Sequence, residues 1–474
     1  MTHWGLLITT AFAVWAVVMA VVIVLQRRSP AATIAWMLVL AFIPVAGYVI
    51  YRLIGPQRLA RKKLRRRITK KIVEEAQGAL HDIETDSPSR HREQLARIAI
   101  SAGEPPPLRA SGVELYCEGV DAYAAIAKAI DAATNHIHVE YYIWEKDNSG
   151  KRLRDQLIER RKAGIEVRVI VDGTGSSHVR GKFFKPLVEA GGEVAWFNPV
   201  SIFTLRRRRA DFRSHRKLVI VDGKVAFMGG MNMADDESSE FTGDKAWRDT
   251  HVKLVGSTVR ALQRVFAEDW MYSSDKLLAS EECYWPVPDE DGGDVVQIVA
   301  SGPDATTFAI HKMYFAAINQ ATHRAWLTTP YFVPDDSILQ AVVCAAMRGV
   351  DVRLIVPAKG DSKLVDLAAR SYYPEVIAAG VRIFEYQPRF VHSKTMVIDD
   401  DVGIVASANL DNRSFRLDFE LGAVIYSHAL NQQLAEAFDR DQAQCVEIKS
   451  DAVERLTFGP RLFQAGARLL SPLL

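Results

Sequence analysis

"HSKTMVIDDDVGIVASAN", residues 392–409, brings a histidine, a lysine, three consecutive aspartates and an asparagine into one short stretch. Taken alone, His392 and the aspartates read equally well as metal ligands or as a strand running into a polar turn. The chain itself weighs between these readings, because "HRKLVIVDGKVAFMGGMN", residues 215–232, repeats the His, Lys, Asp and Asn at the same intervals. Along a strand, side chains at i and i+2 share a face, so His215 projects with Lys217 and His392 with Lys394. Asp222 and Asp399, seven residues after each histidine, fall an odd step away and at a hairpin turn ("VDGK" in the first copy). There they are expected to organise the turn or support the strand from behind. Asp400 and Asp401 read as exposed turn residues.

Asn232 and Asn409 follow their histidines by 17 residues, which places an amide on the returning strand beside each His/Lys pair. A metal would require more carboxylate or imidazole groups nearby, and a lysine two residues from the histidine repels a cation. Positive charge with neutral donors suits instead the stabilisation of a transferring phosphoryl group. One His-x-Lys is common by chance, but two copies of HxKxxxxD, each with Asn at the same offset, form a specific pattern.

The repeat extends well beyond these stretches. "HIHVEYYIWEKD" (136–147) parallels "RAWLTTPYFVPDD" (324–336), and "AGIEVRVIVDG" (163–173) parallels "RGVDVRLIVPA" (348–358). "GGEVAWFNP" (191–199) answers "AGVRIFEYQP" (379–388). Each copy reads strand, helix, strand, helix, strand, then a hairpin, with apolar strand runs suited to a sheet covered on both faces. The fold expected is α/β: two such units packed with pseudo-twofold symmetry. The first copy carries an insertion, "VSIFTLRRRRADFRS", whose Arg206–Arg209 run could steer a phosphate or simply form a solvated loop.

The 474 residues allow more than one domain and a sizeable core. The four cysteines are far apart, which points away from a zinc site or disulfide framework and towards a reducing compartment. The net charge of +2 conceals an asymmetry: residues 1–71 hold twelve Lys/Arg and no Asp or Glu, leaving −10 for residues 72–474. An acidic body argues against a nucleic-acid partner.

Trp4–Leu25 and Ala31–Tyr51 are uncharged runs of 22 and 21 residues. Each is long enough to cross a hydrocarbon core as a helix, at about 1.5 Å per residue. A signal peptide fits the first poorly, since "MTHW" lacks Lys and Arg and the run exceeds an h-region of about 7–15 residues. The expectation is a two-helix transmembrane hairpin, its second helix kinked at Pro44. Nine cations in residues 58–71 place the remainder of the chain on the cytoplasmic side and attract anionic lipid. The expected boundaries are an anchor at 1–56, a basic neck and linker helix at 57–105, a first repeat at 106–290 and a second at 291–474. The terminal "GPRLFQAGARLLSPLL" has apolar residues at helical spacing with several cations; a membrane-surface helix and one packed on the core both fit.

The paired motifs, "HRKLVIVDG…GGMN" and "HSKTMVIDD…SANLDNRS", resemble the phospholipase D superfamily over nearly all of the chain beyond the anchor. Within it the chain is most similar to bacterial cardiolipin synthases, in its anchor ("TIAWMLVLAFIPVAGYVIYRLIG"), its motifs and its final "ARLLSPLL". The resemblance implies that His215 and His392 face each other, His215 as nucleophile forming a phosphohistidine and His392 as acid–base. It implies phosphoryl-oxygen contacts from Lys217, Lys394, Asn232 and Asn409, with Ser407 as a further candidate. It also implies an acidic residue behind each histidine, matched by Asp249 in "WRDTH" and Glu420 in "LDFELG". One departure is Ala406, where a glycine often precedes the serine.

The activity implied is phosphatidyl transfer between two phosphatidylglycerols, without metal or cofactor, in the bacterial inner membrane. The partners are phosphatidylglycerol and other anionic phospholipids; association into homo-oligomers is compatible with the sequence. A phospholipase D using water as acceptor has the same motifs. A nucleic-acid phosphodiesterase would want a basic body, and a non-catalytic scaffold would want a degraded His-x-Lys.

Overall fold

The computed structural model describes residues 3–25, 30–54, 71–72, 75, 90–179, 181–199, 212–278, 282–286, 293–305, 307–451 and 457–473. An N-terminal unit lies within Met1–Arg61, and a body comprises Lys62–Pro199 and Phe212–Leu474. Most of the basic neck, and residues 200–211 of the insertion with its Arg206–Arg209 run, fall outside the described residues.

The N-terminal unit contains helices His3–Val24, Pro30–Phe42 and Pro44–Ile54. The kink expected at Pro44 is a full break: proline lacks an N–H and its ring clashes with the carbonyl one turn back, so a new helix starts there. Ile23, Leu40 and Tyr51 form a small buried cluster, with Trp36 edge-on to Tyr51 at 5.3 Å. Large apolar side chains such as Trp4, Val17, Val21, Phe42 and Val45 are exposed. Among the described residues, no helix is long and apolar enough to cross a membrane.

In the body, the first repeat builds a seven-stranded sheet. From edge to edge its strands are Gly112–Tyr116, His251–Val255, Val225–Gly229, Lys217–Val221, His136–Tyr141, Glu166–Asp172 and Glu193–Phe197. The second repeat reproduces this order strand for strand: Asp294–Ser301, Asp418–Ile425, Val402–Ala406, Thr395–Ile398, Arg324–Thr328, Asp351–Pro357 and Arg382–Tyr386. Its sheet gains Leu108–Ala110 at one edge and Cys445–Ile448 at the other. In both sheets the first strand after the opening helix pairs parallel with the next strand and antiparallel with the motif strand. The internal repeat read from the sequence is therefore a repeat of topology.

The central strands are buried along their whole length, and the apolar runs of Lys217–Val221 and Val402–Ala406 suit a sheet covered on both faces. Helices cover both faces, and in both copies an aspartate caps the helix that follows the first central strand. Asp147 accepts from Gly150 N at 2.9 Å and Asp335 from Ile338 N at 3.1 Å, satisfying amides at each N-terminus. Each fully buried Val, Leu, Ile or Phe in the two cores contributes about 1.5–3 kcal/mol relative to exposure.

The two copies of the motif hairpin turn at Asp222 and Asp399. Asp222 (φ 54°) and Gly223 (φ 65°) both take the left-handed conformation that a two-residue turn between twisted strands requires. The Asp222 carboxylate accepts from Thr134 N and Oγ1, Asn135 N and His136 N. The Asp399 carboxylate does the same for Thr322 N and Oγ1, His323 N and Arg324 N. Each aspartate thus fastens the turn to the start of the neighbouring central strand.

The two sheets are stitched at two equivalent places. Arg213–Ser214 pairs parallel with Asp418 and Phe419, and Val391 makes the corresponding bridge to Arg248. These short links position the site.

Candidate active site

The links continue into the histidines. His215 N donates to Phe419 O at 2.9 Å, and His392 N to Arg248 O at 2.8 Å. The next residue after each acceptor is an acid, so each histidine of one repeat meets the carboxylate of the other. His215 Nδ1 lies 3.1 Å from both oxygens of Glu420, and His392 Nδ1 lies 2.6 Å from Oδ2 of Asp249. A carboxylate at Nδ1 holds the proton there and leaves Nε2 as the reactive nitrogen.

Both His-x-Lys pairs sit at the entry to a strand rather than within it: the first strand begins at Lys217 and the second at Thr395. Lys217 and Lys394 are buried, and each ammonium turns back to donate to the carbonyl of its own histidine, Lys217 at 2.7 Å. Lys394 Nζ is also 3.6 Å from Asp249 Oδ2.

Asn232 and Asn409 lie just past the ends of the returning strands, not on them. Asn232 donates from N and Nδ2 to Glu237 Oε1, at 2.9 and 3.2 Å. Asn409 N donates to Ser414 Oγ at 3.1 Å and its Nδ2 to Asp411 Oδ2 at 3.2 Å. The Oδ1 of each asparagine is buried without a hydrogen-bond partner. Ser407 Oγ donates to Glu420, completing a Ser407–Glu420–His215 chain. The equivalent position in the first copy is Gly230, where a Cβ would stand 2.1 Å from Asp249 Oδ1. The Asp249 carboxylate fills the space that a serine would need. Asp222 and Asp399 are not brought to the histidines at all.

Burial dominates the electrostatics. It pulls His215 down to about 4, against Glu420, and His392 to about 3, aided by Lys394 and against Asp249. Burial and Lys394 together take Lys217 down to about 7, and burial lowers Lys394 despite Asp249. Burial pushes Asp249 up, but Lys394 and His392 outweigh it and hold the carboxylate below its usual range. Glu420 is likewise lowered, by His215, Lys217 and Ser407 acting against burial. Both lysines act on both histidines, so the two motifs form one electrostatic unit.

Several site residues lie outside the motifs that the sequence singles out. Glu237 is buried five residues after Asn232 and is pushed up to about 8 by burial and the nearby Asp249 charge. Ser414 holds the same offset from Asn409, and a polar residue at that offset in both copies was the available signal. Tyr142 packs edge-on against the His215 ring at 4.8 Å, and Trp247 lies 5.1 Å from the His392 ring. Arg216 donates to the carbonyls of Glu420 and Ser301 and pairs with Asp269, while Arg248 pairs with Asp441. These buried arginines brace the links that carry the histidines and acids.

Ligand atoms of Glu237, Asp249 and His392 lie within 4.8 Å of one another, a grouping that could in principle hold a metal ion. The Lys394 ammonium already neutralises Asp249 and would oppose a second cation. The donor set suits proton sharing and anion binding better than cation binding.

Two family models match the chain: "Cardiolipin synthase, PLD-like domain" at residues 126–270 and 314–442, and "Phospholipase_D-nuclease N-terminal" at residues 13–56. A cardiolipin synthase of Alkalihalophilus pseudofirmus is 34% identical, over 98% of this chain and 94% of its own length. One from Geobacillus thermodenitrificans is 37% identical, over 97% and 92%. The crystal structure of a phosphatidylserine synthase of Haemophilus influenzae aligns with a TM-score of 0.61 at 16% identity, covering 80% of this chain and all of that one. At that identity the likeness bears on the fold alone.

Proposed function

We propose, from the premise that this chain belongs to the cardiolipin synthase family with phospholipase D-like domains, that it moves a phosphatidyl group from one phosphatidylglycerol to another, giving cardiolipin and glycerol. The observation that carries the chemistry is the reciprocal pairing of two buried histidines with carboxylates of the opposite repeat. It supplies two oriented imidazoles, one for each role that a two-step displacement needs.

In the first step Nε2 of His215 attacks phosphorus, and the bond from phosphorus to the glycerol oxygen breaks. His392 gives that oxygen its proton, and glycerol leaves. In the second step His392 takes a proton from the free hydroxyl of a second phosphatidylglycerol. The freed oxygen attacks phosphorus, the phosphorus–nitrogen bond breaks, and cardiolipin departs. Lys217 and Lys394, with the amides of Asn232 and Asn409, stabilise the phosphoryl oxygens. Burial keeps both histidines neutral, so the phosphate of an entering lipid must supply the negative charge that lets His392 protonate.

Asp249 and Glu420 orient the rings, and Ser407 fixes Glu420. Asp222 and Asp399 serve the site by holding the motif hairpins. Residues 1–56 act as a membrane anchor, 57–105 as neck and linker, and 106–290 and 291–474 as the two catalytic halves. The uncharged runs of the N-terminus and the match at 13–56 support the anchor, and the cations of 58–71 support a cytoplasmic placement of the body at the bacterial inner membrane.

The test is to incubate the purified protein with phosphatidylglycerol vesicles, with and without a chelator, and to quantify lipids and glycerol. Cardiolipin and glycerol should form in equal amounts in both cases. Phosphatidic acid as the main product would replace transfer by hydrolysis, and loss of activity with chelator would overturn the metal-free steps.

A further inference from the structure

Helix Phe458–Arg468, near the carboxyl terminus, is amphipathic in the reverse sense. Gln464 and Ala467 are the side chains it buries, at 9% and 4% exposure. Phe458, Leu462 and Phe463 are 79%, 58% and 69% exposed, and Leu469 and Leu470 just beyond are exposed as well. At about 100° per residue Phe458, Leu462 and Leu469 fall on one line of the helix, opposite Gln464 and Ala467, and Phe463 and Leu470 flank that line. A helix that only completes a water-soluble domain turns such a stripe inward. A contiguous exposed patch of this kind marks an interaction surface.

The surroundings suit an anionic lipid surface. Arg461 is exposed on the helix, and Arg468 stacks over Tyr372 at 4.1 Å while meeting Glu375 at 3.3 Å. The helix packs on Lys363–Arg370, where Lys363 and Leu364 are both exposed. The patch is tied to the site: Ser471–Leu473 packs against helix Asn412–Arg416, which begins three residues after Asn409. Tyr372 also donates to Ser471 Oγ at 3.0 Å.

We propose that this helix lies in the headgroup layer of an anionic bilayer. Phe458, Leu462, Phe463, Leu469 and Leu470 reach the upper acyl chains, and Arg461 and Lys363 meet lipid phosphates. The site's edge is thereby held at the lipid surface, so that substrate enters without leaving the interface; this delivery role rests on the phosphatidyl-transfer reading above. Insertion of an apolar face flanked by cations is the general mode of interfacial helices.

The experiment uses the full chain in phosphatidylglycerol/phosphatidylcholine vesicles, with exposed Cys283 and Cys344 replaced by serine. Spin labels are placed at Leu462→Cys, on the apolar face, and at Pro460→Cys, which is itself exposed and lies at the start of the helix on the side of Gln464 and Ala467. The label at 462 should collide more with oxygen than with a water-soluble nickel chelate, and the label at 460 the reverse. A 462 label open to the chelate, or shielded from both by a second copy or another segment, overturns docking. A Leu462→Ser/Phe463→Ser variant should lose about tenfold in turnover of vesicle phosphatidylglycerol and keep its turnover of a short-chain, monomeric analogue. Equal rates on vesicles, or equal losses on both substrates, would overturn the delivery role. The labels report docking whatever the product, so absence of cardiolipin would count against the transfer reading alone.

Discussion

His392 and Asp249 belong to opposite repeats, yet Nδ1 of the histidine stands 2.6 Å from Oδ2 of the aspartate. Glu420 completes the reciprocal pair with His215 at 3.1 Å. Neither half can therefore orient its own histidine, and each acid should share the phenotype of the histidine it faces.

That exchange has a kinetic consequence. Asp249→Asn and Glu420→Gln should each lower turnover of phosphatidylglycerol by about 10²–10⁴-fold, the range for a disabled acid–base or oriented imidazole. With a phosphatidyl ester of p-nitrophenol, whose leaving group needs no proton, Asp249→Asn should recover most of the nitrophenol release. Glu420→Gln should not. The opposite pattern would assign the nucleophile to His392.

A second consequence concerns protons. With burial holding His215 at about 4, His392 at about 3 and Lys217 at about 7, these groups are under-protonated at neutral pH. A phosphate-like anion raises all three, so vanadate binding at pH 7 should take up protons. Calorimetry in buffers of different ionisation enthalpy measures this directly; identical heats in all buffers would contradict it. By linkage, a histidine with a folded value below about 6.5 makes the unfolded state bind more protons, so this part of the stability falls as pH drops below that value and levels off near 3–4.

Asp222 and Asp399 should act on stability rather than chemistry. Their carboxylates are spent on backbone amides and threonine hydroxyls, which hold both below the usual range against burial. Asp399→Ala should cost roughly 3 kcal/mol in denaturant unfolding, from loss of hydrogen bonds to a charged acceptor, and leave kcat nearly unchanged where the protein is folded. Because the folded values are depressed, this stabilisation is present above about pH 4 and lost on further acidification. A large fall in kcat at full stability would place these aspartates in the chemistry.

Glu237 offers a further check. Pushed up to about 8, it is largely protonated at pH 7, and its Oε1 accepts from Asn232. Glu237→Gln keeps the acceptor and should change kcat less than tenfold, whereas Glu237→Ala frees Asn232 and should cost about 10–100-fold. Equal damage from both would mean that the carboxylate itself is required.

The succession of strands and helices in each copy and the four His and Lys positions were legible because the same residues recur at the same intervals, and apolar runs read as buried strands. The break at Pro44 was legible as a kink from proline geometry. What the sequence did not reveal arises from contacts between repeats. Local periodicity says nothing of how Arg213–Ser214 meets Asp418–Phe419, so the exchange of acids stayed hidden. The asparagines were expected on strands because spacing alone does not reveal that a strand stops at Gly229 or Ala406. Glu237 escaped notice because its counterpart is a serine, and only burial beside Asp249 gives it meaning.

Covalent transfer through His215 is tested by mass spectrometry of the acid–base variant caught in mid-reaction. His392→Ala, mixed with phosphatidyl-p-nitrophenol and quenched at neutral-to-basic pH, should carry one phosphatidyl group on the peptide containing His215. The His215→Ala protein should carry none. A phosphatidyl group on His392 of the His215→Ala protein, or no adduct on either variant despite nitrophenol release, would rule out His215 as the covalent carrier.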